Sequence, residues 1–139
     1  MKERKGINRN ELLKEIQRIL DNIEIPVKVQ SDIINQMIDN TYHDMNLKMD
    51  ILEHSVRFFM FERGEIVFEK NIDDEQVIKY IILENVINIY FNRIAGEKAV
   101  MFNGYIDMRW IKKAKEDIFV KVGEPYLTMY SNDISIYNV

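Results

Sequence analysis

From Val77 to Phe91, eleven of fifteen residues are apolar, and they cover far more than one helical stripe. Asp73 followed three positions later by Gln76 reads as a capping box, with Asp74 and Glu75 placed where acidic side chains favour a helix N-terminus. The expectation is a single helix from Asp74 to about Ala95, stopped by Gly96. A helix apolar around most of its circumference is either central to a domain or covered by a partner on its second face. The same run contains Lys79, Glu84, Asn85 and Asn88 and falls short of the roughly 20 apolar residues of a membrane span. No membrane partner is expected.

The other segments supply what such a helix needs. Leu12, Leu13, Ile16, Ile19, Leu20 and Ile23 form an amphipathic stripe, and Asn8 with Glu11 makes a capping box for a first helix that Pro26 ends. Ser31 is a candidate cap for a shorter helix in which Ile33, Ile34, Met37 and Ile38 share a face. A β region follows: Leu47 to Leu52, Ser55 to Phe61 and Glu65 to Glu69, with Glu62, Arg63 and Gly64 as the tight connection. Val56, Phe58 and Met60 alternate with Arg57, Phe59 and Phe61. One face therefore packs on helices, and the other keeps two exposed or partly covered aromatics.

Val100 to Trp110 reads in two ways. Asn103 and Gly104 make a good hairpin turn, but the favoured reading is a loop followed by a helix from Ile106 to Val122. On that helix Ile106, Trp110, Ile111, Ala114, Ile118 and Val122 line one face, and Lys112, Lys113, Lys115 and Glu116 the other. The tail from Tyr126 to Val139 is open between a short hairpin, a packed arm and another helical turn. The fold class is α+β: a three-stranded antiparallel meander packed against a long central helix and N- and C-terminal helices. Its 139 residues, 47% apolar, suit one domain, with residues 1–9 as a candidate disordered arm.

Chemistry-bearing patterns are scarce. The two histidines, His43 and His54, show no metal-ligand spacing, and His54 and Ser55, as strand neighbours, point to opposite faces. The five glycines are isolated at element boundaries, so no phosphate cradle is present. No catalytic residue, metal or cofactor is expected. The net charge of -4, with lysines and arginines dispersed, argues against nucleic acid as a partner. Lys112, Lys113 and Lys115 read as a solvated helix face. Cysteine is absent, which suits a reducing cytoplasm, and no apolar stretch of a secretory signal follows the basic first residues. Tyr126, Tyr130, Tyr137 and Trp110 are either interface anchors or core.

Taken in order, Phe61-Glu62-Arg63-Gly64-Glu65, the acidic cap, the long apolar helix, Asp107-Met108-Arg109 and a helix ending near Glu124-Pro125-Tyr126 make a pattern. It resembles the immunity protein 63 family of bacterial polymorphic toxin systems, in which an ERG turn, an acid-opened helix and a DxR-type element recur. The likeness runs from roughly Leu47 to Tyr126. This chain departs from it at Trp110, where the family pattern has a second arginine, at Lys112 to Lys115, and in its tail. The resemblance implies a cytoplasmic antidote that binds one cognate toxin domain. Glu62, Arg63, Asp107 and Arg109 are the matching contact candidates, with Trp110 beside them as an aromatic anchor. An ion-pair network inside the molecule is the alternative role for the four charged residues. Tight inhibition needs only a standard interface of about 1,600 Å² with a few anchors. The competing expectations are a self-associating assembly protein of a mobile element, using the extra helix face with Phe59 and Phe61, and an enzyme whose carboxylates gather only on folding.

Overall fold

The computed structural model describes residues 6–97, 101–102, 105–106 and 108–139. Helix α1, Arg9–Asn22, opens where Asn8 Oδ1 accepts the Glu11 N–H at 3.1 Å. It buries Leu12, Ile16, Ile19 and Leu20, the predicted stripe. Of residues 6–9 in the N-terminal arm, Ile7 donates its N–H to Glu53 O and Arg9 already starts α1.

Pro26 does not end α1. The helix closes at Asn22, the chain turns through Glu24 at φ 62°, and Pro26 is the N-cap residue of α2, Val27–Ile38. Ser31 is therefore an exposed residue inside α2 and not its cap. Proline suits a helix start, because its missing N–H falls where no intrahelical acceptor exists and its φ is already helical. Gln30, 2% exposed, ties the corner together by donating to Ile25 O at 2.6 Å and Asp21 Oδ1 at 3.1 Å.

Strands β1, Lys48–Ile51, β2, Val56–Glu62, and β3, Glu65–Ile72, form an antiparallel sheet in sequence order. Its inner face presents Met49, Val56, Phe58, Met60 and Ile72 to the core. Helix α3, Glu75–Glu97, is capped by Asp74, one residue later than the sequence suggests: Asp74 Oδ1 accepts the N–H groups of Gln76 and Val77 at 3.0 and 3.1 Å. The helix continues through Gly96 to Glu97. It touches α1, α2, β3 and the two later helices, so its apolar circumference is covered from within the molecule. Ile78, Tyr80, Ile82, Leu83, Val86 and Ile87 have no exposed surface. Each such side chain contributes about 1.5–3 kcal/mol of burial free energy.

The favoured loop over Val100 to Trp110 is overturned. β4, Met101–Phe102, pairs antiparallel with β5, Tyr105–Ile106, so the hairpin alternative holds, while its turn residues Asn103 and Gly104 lie outside the described residues. Helix α4, Met108–Val122, then begins after Ile106 and not at it. Gly123, at φ 82°, ends α4 in the left-handed conformation that glycine adopts without steric cost. The tail takes the helical option as α5, Tyr126–Ser131, followed by an arm anchored by buried Ile136. Tyr130 stacks on Phe119 at 4.3 Å, and Phe119 meets Tyr80 at 5.9 Å, which locks α5 and α4 onto α3. Among the described residues no helix is long and apolar enough to cross a membrane.

Candidate functional site

Two places combine exposed or hollow geometry with chemistry. The first is the hairpin end of the sheet. β2 and β3 turn through Arg63 at φ 52° and Gly64 at φ 80°, the pair of left-handed residues that matches the twist of the flanking strands. A parallel bridge from Asp44 to Phe61 and the Met45 N–H donated to Phe61 O pin the 39–46 segment along the tip. Asp44 Oδ1 also accepts the Arg63 N–H at 3.1 Å.

That segment lays Tyr42 over the outer face. Its ring stacks on Phe61 at 4.3 Å and meets Phe59 edge-on at 6.2 Å. Phe59 is only 4% exposed, covered by Tyr42 and by the Arg57 guanidinium 4.4 Å from its ring. The exposed strand aromatic expected from alternation is thus half-buried Phe61 alone. Around it Tyr42, Met45, Ile66 and Val67 are 44–55% exposed. Tyr42, Phe61 and Ile66 are contiguous through the ring stack and the Phe61–Ile66 cross-strand pair, and Val67 follows Ile66 in the strand, whereas Met45 lines a hollow with Met60 and Ile81.

Its surroundings are acidic. Arg57 serves two carboxylates, Asp50 at 3.1 Å and Glu69 at 2.9 Å, the second through Nε without the alignment of a hydrogen bond. Glu62 and Glu65 stand directly opposite each other in the ladder, and neither has a cationic partner among the described residues. Like charges facing across a strand pair are destabilising.

The predicted contact residues distribute as follows. Glu62 and Arg63 are exposed at this tip. Arg109 is exposed and Trp110 half-buried in the first turn of α4, where Trp110 meets Phe91 edge-on at 6.5 Å. Asp107 lies outside the described residues. Because α3 starts beside the end of β3 and its later turns line a hollow with Met60, the hairpin tip and the start of α4 lie towards the same end of the molecule. Tyr42, Met45 and Ile66 were not predicted. Tyr42 and Met45 sit in a connection without periodicity, and only the fold brings them onto the strand.

The second place is a hollow of about 180 Å³ between the inner face, α3 and the tail, lined on its polar side by Glu84, Asn85 and Asn88 and on its apolar side by Met60, Ile81 and Ile136. Burial pushes the Glu84 carboxyl up, against the lowering effect of the 2.6 Å hydrogen bond from Tyr80 Oη and of the Lys115 charge. Burial likewise pushes Lys115 down and Tyr80 up. Asn85 Nδ2 is buried there without a protein partner. Of the lining residues only Glu84 and Tyr137 ionise, so the hollow holds no nucleophile paired with a base. A larger, open hollow of about 500 Å³ between α4 and α5 is lined in part by Lys112, Glu116, Tyr130 and Asp133. His43 and His54 are both exposed, and among the described residues no three His, Asp or Glu side chains come together as a metal site.

Compared with known proteins, the chain matches no family model, no curated protein and no solved structure.

Proposed function

We propose that this chain works by stoichiometric binding of another protein, and that the partner is a toxin domain that it neutralises in the bacterial cytoplasm. The observation that carries the binding reading is the exposed apolar patch of Tyr42, Ile66 and Val67 around half-buried Phe61 at the hairpin end. An exposed patch of that kind, set in charged surroundings, marks an interaction site more often than a neutral surface. The toxin as the class of partner rests on the sequence resemblance carried by Glu62, Arg63, Asp107 and Arg109. The contrast with the hollow at Glu84 supports binding over catalysis, since a single carboxyl without a second reacting group is a poor start for acid–base chemistry.

Co-expression with the toxin domain encoded beside the chain tests this reading. Growth should be restored, and the two proteins should purify as a one-to-one complex. Unchanged toxicity together with failure to co-purify would refute it.

A further inference from the structure

We infer that the partner seats on the outer face of the sheet at its hairpin end, and that the surface it brings is basic: an apolar side chain against Tyr42, Phe61 and Ile66, ringed by lysines or arginines. This rests on the protein-binding reading and adds to it the face and the chemistry of the partner.

Charge selects the face. Asp50 and Glu69 share Arg57 on the outer face, Asp39 and Asp44 lie in the segment along it, and Glu62 and Glu65 stand at the turn on the side of Met60. Against these six carboxylates are Lys48, Arg57 and Arg63, which leaves this end three charges negative out of a chain total of -4. The exposed side of α4 is opposite in character, with Lys112, Lys113 and Lys121 against Glu116 and Asp117. Two carboxylates sharing one guanidinium, and two glutamates opposed across the ladder, are each short of a cation. A basic partner supplies those cations and relieves the repulsion in the same step. The apolar floor supplies the anchor: Tyr42 is already held by stacking on Phe61, so little of its freedom is lost on binding.

The edge of β3 is a poorer docking route than the face. A register shift between Met60 and Phe61 leaves Val67 as the extra residue of a bulge, and Glu69 and Lys70 follow it. Bulges and charges on an edge discourage the addition of another strand. Side chains, not a shared ladder, therefore make the contact.

The experiment uses the full chain and the toxin domain encoded beside it, with binding followed by surface plasmon resonance at several salt concentrations. Tyr42→Ala and Ile66→Asp should each weaken binding at least about 30-fold, the scale of a hot-spot residue. Charge reversal with Glu62→Arg and Glu65→Arg should slow association and flatten its salt dependence. Val120→Asp, at an exposed position on α4, should leave binding unchanged. All these positions are exposed, and matching circular dichroism and melting curves will show that the variants fold. If the wild-type chain binds but the hairpin-end variants bind equally well, or Val120→Asp abolishes binding, the assigned face is wrong while protein binding stands. If the wild-type chain does not bind at all, both the reading and the face fall.

Discussion

Lys48 shows how far a single residue can depart from its local pattern. It lies on the outer face of β1, where alternation beside a polar connection suggests exposure, yet only 2% of it meets solvent. Its ammonium donates to Gln36 O in the last turn of α2, to Asp39 Oδ1 at 2.7 Å and to Thr41 O at 2.8 Å. A cation at a helix C-terminus also meets the negative end of the helix dipole. Lys48→Met should keep the packing but strand these acceptors, costing about 2–3 kcal/mol in urea denaturation. The hydrogen bond from Lys48 holds the Asp39 carboxyl below its usual range. Stability from that pair is therefore present at neutral pH and lost as pH falls below the ordinary aspartate value. Glu84 has the opposite sign. Its carboxyl is raised by burial, so ionisation costs the folded state more than the unfolded one, and stability is lost as pH rises from the ordinary glutamate value of 4.5 through the raised folded value. Glu84→Gln retains an acceptor for Tyr80 and should match the wild type in thermal denaturation below pH 4.5 and exceed it at pH 7. A wild type more stable than the variant at pH 7 would show that Lys115 and Tyr80 outweigh burial. Neither Lys48 nor Glu84 was legible in the sequence as special, because the partners of both come from other elements or another turn.

At the scale of elements, what local physics determines was readable and what distant contacts determine was not. The stripe of α1, the three strands, the two-residue turn and the long helix follow from periodicity, capping and turn chemistry. The cap of α3 was off by one because Asp73 and Asp74 are both good N-cap residues, and only the backbone decides which carboxylate reaches the first free N–H groups. Asp74→Ala should cost about 1 kcal/mol, seen as a lowered midpoint in chemical denaturation. In α4 the sequence stripe left out Phe119, although it is only 1% exposed. Its position falls beside the stripe and not on it, and α5, whose helical form was only one of three options, is what covers it through Tyr130. Phe119→Ala should accordingly cost about 3–5 kcal/mol, the range for a buried phenylalanine. A loss under 1 kcal/mol would show that the tail does not hold α4 to α3 in this way. The candidate site was half legible for the same reason: Glu62 and Arg63 announce themselves as turn residues, whereas Tyr42 becomes part of the site only by stacking on Phe61.

For the whole molecule, the proposed one-to-one binding requires a face that is not already used by a second copy. The sheet has two edges. β1 is only four residues long and is packed by α2, while β3 is eight residues long and largely exposed. Two β3 strands related by a two-fold axis keep inner faces matched only when one residue faces its own copy. Centring on Glu69 or Lys70 opposes like charges, and centring near Phe68 places the Val67 bulge inside the new ladder. Each of these registers meets a penalty, which is one way edges are kept from pairing. The apolar cluster is flanked by carboxylates as well, so two copies meeting face to face would bring acidic groups together. The chain should therefore sediment as a 16.7 kDa monomer at tens of micromolar. Replacing both Glu69 and Lys70 by valine removes the charged block, and this variant should show concentration-dependent dimers in the same measurement. A wild-type dimer that survives high salt would instead mean that apolar contact overrides the repulsion, and self-assembly would then replace partner binding as the function of this surface.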